Sequence, residues 1–307
     1  MFIDSWSKRS GLEQSFFLAI LKVSREHLRQ WRQRLGSPNQ HNGKVPKAHQ
    51  LLPEERKAIL NYHKLNSVEG YRRLTYMMMD EGVAFVSPAS TYRVLKGAGV
   101  LKSRIQTSSS KGKGFRQPGA PHRHWHIDIT YLKIKGIFYY LTLVLDGFSR
   151  YIVGWSLRES MTETDVEITV QMAREAFPGA TPRIISDRGS QFSSRDFREF
   201  MRLVGLTHTM TSPYYPQSNG KLERCNKTVK AFLRTTYLAN VDEARKFIAD
   251  FVEYYNRIRL NSAIGYVAPA DKLAGRAEAI QEKRDLGLKA AAAKRRDCRP
   301  HEDHVAA

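Results

Sequence analysis

Cysteine is nearly absent from this chain. Cys225 and Cys298 are the only two among 307 residues, and they lie far apart. They make neither a zinc-ligand spacing nor a disulfide framework, which fits a reducing, cytoplasmic setting. Long apolar runs are missing as well. None reaches the roughly 18 residues of a membrane span, so no membrane partner is expected. The first residues, MFIDSWSKRSGLEQ, lack the apolar stretch of a secretory signal. Acidic residues are scarce: 30 Asp and Glu stand against 50 Lys and Arg, a net charge of +20 with a pI of about 10.0. Such an excess favours a polyanionic partner, nucleic acid being the commonest. A ribosomal-type or merely soluble basic protein has the same balance. What the chain does have is a 41% hydrophobic content and a length that fits two or three domains.

The first third reads as helical. EQSFFLAIL and REHLRQWRQRL predict two short helices within residues 13–35, with KVS turning between them and Ser24 as N-cap. A polar stretch at 36–50 separates these from a second unit, LLPEERKAILNYHKL, GYRRLTYMMMDEG and SPASTYRVLKGAG. Ser87 followed by Pro88 is a helix start, and Gly97 or Gly99 a stop. Each pair suits a helix-turn-helix that lays its second helix in a major groove. The side chains then expected to face DNA are Arg25, Arg29 and Arg32 in the first unit and Ser90, Thr91 and Arg93 in the second. A small helical bundle with a solvated basic face accounts for the same pattern. Residues 102–121, rich in Ser, Gly, Lys and Pro, read as a basic linker.

The middle changes character. WHIDITYLKIKG, IFYYLTLVLDGFS and RYIVGWSLRES predict three strands joined by tight turns at Lys135–Gly136 and at DGFSR, 146–150. ETDVEITVQMAREAF then reads as helix, PRIISD as a buried strand, SSRDFREFMRLVG as a helix capped by Ser193 or Ser194, and THTMTS as a short strand. A helix over NGKLERCNKTVKAFL, capped by Ser218 or Asn219, completes a βββαβαβα order and a mixed sheet with helices packed on it.

Three carboxylates stand out in this frame. Asp128 alternates with Trp125, Ile127, Ile129 and Tyr131, so it shares the opposite face of its strand with Thr130. A buried Asp there needs a pairing group or a metal. Asp187 ends a strand, where open α/β sheets place ligands, although strand-end aspartates also cap turns. Glu223 lies on a helix whose apolar stripe is Leu222, Cys225, Val229, Phe232 and Leu233. It shares another face with Asn226, Lys227 and Lys230, which is either a metal-and-phosphate face or an ordinary surface Glu–Lys pair. Cys225 falls on the packing face and reads as an inert thiol. Two strand aspartates and a helix glutamate are the oxygen ligands that suit divalent cations aligning a phosphodiester for in-line attack. His122, His124 and His126 read as solvated or core-edge residues before the strand proper, with His126 alone a candidate to orient a metal ligand. Asp146 reads as a turn former.

Taken together, WHIDIT, IISDRGSQF and SPYYPQSNGKLERCNKTVK, with 35 residues between the last two acids, resemble the D…D(35)E core of retroviral-integrase-like transposases. The likeness is greatest to the integrase-type subunits of bacterial insertion sequences. GYRRLTYMMMDEGVAFVSPASTYRVLKGAGV is similar to the family's helix-turn-helix, and FVEYYNRIRLNSAIGYVAPADKL to the segment after its core. The resemblance implies an α/β fold, an RNase-H-like integrase core with a mixed five-stranded sheet and flanking helices, preceded by α-helical helix-turn-helix DNA-binding units. The expected organisation is 1–35 and 51–101 as helix-turn-helix units, 102–121 as linker, 122–240 as catalytic core, 241–275 as a helical extension and 276–307 as a basic tail. In that tail EAIQEKRDLGLKAAAAKRR could form a basic helix despite Gly287; it could bind DNA or a partner subunit, or be a frayed end, and the last is the preferred reading.

The resemblance also implies Asp128, Asp187 and Glu223 as catalytic metal ligands for Mg²⁺, with Mn²⁺ as a substitute and two ions when DNA is bound. Lys230 would bind transposon-end phosphate, and Lys227 matches a DNA-contacting lysine of integrases. Expected partners are the element's terminal repeats, target DNA, further copies of the chain assembled on DNA, and a small helix-turn-helix protein encoded upstream. Asn261 stands where relatives usually have histidine, and the His₂Cys₂ zinc module of retroviral integrases is missing. The implied activity is metal-dependent DNA cleavage followed by strand transfer. A catalytically inactive DNA-binding relic or regulator, and a plain RNase-H-type nuclease, are the rival readings.

Overall fold

A computed structural model of the chain describes residues 2–33, 35–36, 50–101, 117–211, 220–234 and 236–298. Most of the expected basic linker, the candidate caps Ser218 and Asn219, and the last nine residues of the tail lie outside them. The chain divides into two compact units, residues 1–50 with 295–307, and residues 51–294.

In the first unit, α1 (Phe2–Ser10) precedes the two expected helices, α2 (Gln14–Leu21) and α3 (Arg25–Gln33). Ser24 caps α3 by accepting from His27 N at 3.1 Å. Ile3, Leu18 and Leu28, one from each helix, form the small core, with Phe17 and Val23 against it. The helix α1 is not anticipated by the sequence reading, because FIDSWSKRS offers few apolar positions. Asp4 and Gln14 both bond Arg32, which ties α1 and α2 to α3.

The second unit begins with α4 (Pro53–Leu65), α5 (Tyr71–Asp80) and α6 (Pro88–Gly97). Ser87 caps α6 through Ser90 N, with Pro88 at the first position, as its sequence predicts. Ile59, Leu74, Met78, Val86 and Leu95 fill the space between these helices. The sheet follows: β1 (His124–Ile134), β2 (Ile137–Asp146), β3 (Ile152–Arg158), β4 (Arg183–Ser186) and β5 (Thr207–Met210), in the order β3-β2-β1-β4-β5. The first three strands are antiparallel, and β4 and β5 add on parallel beside β1. The hairpin between Ile134 and Ile137 closes through Lys135 and Gly136, both at positive φ (47° and 89°). That is the two-residue turn whose twist matches the strands, and glycine is at ease there.

Helices cover both faces. On one, α7 (Glu163–Ala176) and α9 (Arg195–Leu203) enclose Trp125, Ile127, Val144, Val166, Phe192 and Phe197. A four-residue turn, α8 (Ser190–Ser193), leads into α9, which Ser194 caps. On the other face α10 (Gly220–Leu233) and α11 (Val241–Arg257) pack Leu222, Cys225, Val229, Ile248 and Phe251 over Leu132, Leu141, Leu143 and Leu145. Double coverage explains why β2 is apolar almost throughout.

After α12 (Pro269–Leu273), the segment expected to fray forms α13 (Ala277–Asp297). Arg284, only 1% exposed, anchors it: Nε and Nη2 donate to the two carboxylate oxygens of Asp80 at 2.7 Å each, and Nη2 also reaches the Tyr266 carbonyl at 2.7 Å. A Cβ on Gly287 would lie 2.1 Å from Cε1 of Phe85, so the glycine that weakens the helix locally is what lets it approach Phe85. The rest of α13, rich in Ala, Glu, Lys and Arg, favours helix and carries the glycine.

Candidate active site

The register of β1 and β4 places the two aspartates. His126 lies opposite Ile185 in this parallel pair, and two residues further along each strand come Asp128 and Asp187, on one face by the period of two. Asp128 is largely shielded, Asp187 exposed in the loop just past β4. Burial, and then the charge of Asp187, push the Asp128 carboxyl up to about 6, against the pull of the Ile129 backbone N–H, Lys230 and Asn226. Asp187 Oδ1 accepts from Gly189 N at 2.9 Å, so it also holds the turn.

The third carboxylate comes from α10. Its buried stripe is the expected one, with Leu222, Cys225 and Val229 each 1% exposed or less. Asn226, on the next face, donates from Nδ2 to Asp128 Oδ2 at 2.8 Å. Glu223 and Lys230 flank Asn226 on that face. Glu223 itself is exposed and pairs with Lys227 at 2.8 Å. The structure therefore brings Asp128 and Asp187 together and leaves Glu223 on the neighbouring helix turned toward its own lysine. Among the described residues no group of three or more His, Cys, Asp or Glu side chains is close enough to hold a metal ion.

Two adjacent carboxylates, one of them shielded and held back from ionising, offer only oxygen donors and repel one another. A hard divalent cation relieves that repulsion, so the residues present fit such an ion.

The surrounding residues sort clearly. Asp146 is fully buried and holds its turn: Oδ1 accepts from His122 N at 2.8 Å, and Oδ2 from Ser149 N at 2.7 Å and Ser149 Oγ at 2.6 Å. The histidines are drawn further in than the sequence suggests. β1 starts at His124, and His126 is fully buried close against Gly147, so it belongs to the strand rather than to a solvated approach. Burial raises the Cys225 thiol to about 12, in keeping with a packing role. Asn261 caps a short 3₁₀ turn through Ala263 N at 3.0 Å and donates to Tyr255 Oη at 3.2 Å.

Of the side chains expected to face DNA, Arg25, Arg29, Arg93 and Lys227 are exposed and Ser90 and Lys230 are half-buried. Arg29 pairs with Glu26 at 2.9 Å. One expectation needs correction. Thr91 is fully buried and bonds Thr75 Oγ1 at 2.9 Å, because it falls on the stripe of α6 that faces α5. Arg32 is exposed, and its bonds to Asp4 and Gln14 help hold the first unit together. Sequence reasoning assigned no role to Asn226. Its position three residues after Glu223, on the carboxylate's face, was the available signal.

The chain matches the integrase core domain family over residues 118–216, and a second integrase core domain family over 204–269. It is 28% identical over 241 residues to the transposase for insertion sequence element IS904 of Lactococcus lactis subsp. lactis (strain IL1403), covering 72% of this chain and 93% of that protein. It is 33% identical over 137 residues to the insertion element IS136 uncharacterized protein of Agrobacterium tumefaciens (strain T37), 42% of this chain and 70% of that one. Among solved structures it is similar to the HTLV-2 integrase catalytic core domain in complex with magnesium, at 22% identity and a TM-score of 0.40, over 50% of this chain and 96% of that chain.

Proposed function

Because this chain belongs to the integrase-type transposases of insertion sequences, we propose that Asp128, Asp187 and Glu223 are the carboxylates with which it cleaves and rejoins DNA. As a DDE transposase it is a polynucleotidyl transferase. The observation that carries the assignment is the coupling of Asp128 to Asp187 and, through Asn226, to the helix bearing Glu223.

The chemistry is two successive displacements at phosphorus. In the first, water attacks the phosphodiester at the element's end, the bond from phosphorus to O3′ breaks, and a 3′-OH is left. In the second, that 3′-OH attacks a phosphodiester of target DNA, and the target's own O3′ leaves. Asp128 and Asp187, together with Glu223 once it leaves Lys227, would hold a divalent cation, which would supply Lewis-acid stabilisation of charge on phosphate, and Mg²⁺ with its preference for oxygen ligands is the expected ion. Asn226 keeps the Asp128 carboxylate aimed by holding Oδ2. Lys230, near enough to Asp128 to lower its pKa, binds a phosphate oxygen at the terminus. Lys227 does the same after releasing Glu223. That exposed i,i+4 pair contributes about 0.5 kcal/mol or less, so an arriving phosphate displaces it readily.

Element terminal repeats and target DNA are the proposed substrates, and two ends must be joined, so we expect several copies to assemble on DNA. The test is a strand-transfer assay. The protein, Mg²⁺, a labelled duplex carrying the terminal repeat and a plasmid target are incubated beside Glu223→Gln and Asp128→Asn. Joined product from the unaltered chain alone supports the assignment. Joined product from either variant refutes it, and binding without joining by the unaltered chain favours a DNA-binding relic.

A further inference from the structure

The face of α10 opposite Glu223 carries a different set of residues. Lys221, Arg224 and Thr228 recur at helical spacing and line a cavity of about 490 Å³ with Arg150 and Tyr255. This cavity opens into a groove of about 860 Å³ that shares Arg73, Arg224 and Arg259 with it and runs past Arg72 to Lys227. Lys227 is the partner of Glu223, so the groove starts beside the carboxylate helix and leads away around it. Among the described residues of both linings, Glu69 is the one carboxylate. It is already engaged by Arg73 and, at 3.6 Å, by Arg259.

The inner end has donors in want of an acceptor. Arg150 Nη2 donates to Gln117 Oε1 at 3.2 Å, whereas its Nε and Nη1 are buried and have no hydrogen-bond partner among the described residues. Buried guanidinium nitrogens in that state are costly. Arg150 also sits at φ 66°, a left-handed conformation that favours glycine, so a long charged side chain is kept where the backbone would prefer none. The cations repel one another: burial and then Arg150 hold the Lys221 ammonium down to about 7. Tyr71, Phe232 and Tyr266 line the outer groove, giving flat surfaces among the charges, as in channels that track a nucleic-acid strand.

We propose that this groove is a second phosphate-binding track, which takes the backbone of a DNA strand leading away from the carboxylate site and seats one phosphate against Arg150, Lys221 and Arg224. The proposal rests on the reading that the protein acts on DNA. It assigns the groove a contact distinct from the one made by Lys230, and it explains why Arg72, Arg73, Arg150 and Arg259, all from other elements, gather around Arg224 of α10 on a side of the helix that Glu223 does not use.

The test is the salt dependence of DNA binding by the full chain. Fluorescence anisotropy would follow a labelled duplex carrying the terminal repeat and its flanking sequence, with the unaltered protein, Arg224→Gln, Arg150→Gln, and the Arg72→Gln/Arg224→Gln double variant. Each lost phosphate contact should reduce the slope of log affinity against log salt by about one and weaken binding on the order of tenfold. Arg72 and Arg224 are exposed, so the double variant remains decisive should Arg150→Gln fail to fold. Inorganic triphosphate alone, read by thermal shift, separates DNA from a free phosphate ligand. An unchanged salt slope in the double variant overturns the proposal. Stabilisation by triphosphate that the double variant loses, with the DNA slope unchanged, also overturns it and reassigns the cavity to a free polyphosphate. Failure of the unaltered protein to bind any terminal-repeat DNA defeats the functional reading itself, and this inference with it.

Discussion

Asn226 donates a 2.8 Å hydrogen bond to the carboxylate of Asp128, and this bond fastens the helix that carries Glu223 to the strand at the centre of the sheet. Substitution by alanine leaves one carboxylate oxygen without that donor and the helix without that tie. Strand transfer by Asn226→Ala should fall by about 10- to 100-fold, the usual scale for a residue that orients a metal ligand, with little change in DNA affinity. A variant that transfers strands at the unaltered rate would show that Asp128 needs no such support.

Asp128 ties stability to pH in the metal-free protein. Its carboxyl titrates at about 6 when folded, against about 3.9 in an unfolded chain, so the folded state holds the proton more tightly. Stability from this group is therefore greatest below pH 4, falls as pH rises from about 4 to about 6, and then levels. Asp128→Asn should abolish this slope and gain up to about 3 kcal/mol at pH 7. Chemical denaturation of both proteins across pH 4–7 measures the difference. Added Mg²⁺ at pH 7 should raise the melting temperature of the unaltered protein and not that of the variant.

The two cysteines should respond differently to alkylation. Cys225 is buried with its thiol raised to about 12, whereas Cys298 is exposed. Iodoacetamide at pH 8 should modify Cys298 alone in the native protein and both after denaturation, which peptide mass spectrometry distinguishes. Native labelling of Cys225 would mean that α10 lifts from the sheet.

Alanine at position 287 should destabilise the protein even though alanine favours helices. The new Cβ would fall on the Phe85 ring, and overpacking of this kind costs about 1–3 kcal/mol. Combining Gly287→Ala with Phe85→Ala should recover part of the loss. Additive losses in the double-mutant cycle would argue against contact between the two positions.

Much of this architecture is legible in the chain. The alternation around Asp128, the turn at Lys135–Gly136, the caps Ser24, Ser87 and Ser194 and the apolar stripe of α10 are local patterns with local causes, and each stands where its residues predict. What escaped reading depends on partners distant in sequence. Thr91 is polar and close to a helix start, so it reads as a surface contact, yet its facing partner is Thr75. Arg32 reads as one more cation until Asp4 is placed beside it. The segment after Arg276 is rich in helix formers, and what its sequence does not show is the anchor of Arg284 on Asp80 and the seat of Gly287 against Phe85. The candidate site shows the same division. Spacing singled out the three carboxylates as candidates, but the bond from Asn226, and the turn of Glu223 toward Lys227 rather than toward the aspartates, are matters of side-chain geometry.

The parallel pairing of β1 with β4 bears on when the carboxylate site first exists. Asp128 and Asp187 are neighbours only across two strands separated by a hairpin, a third strand and a helix. That contact is non-local, and it forms only after the loop closure has been made. A ribosome that has not yet released β4 holds a chain with α1 to α7 synthesised and no aspartate pair. A nascent or prematurely terminated chain of this kind lacks the carboxylate pair, and the sheet order itself delays that pair until the core has been synthesised.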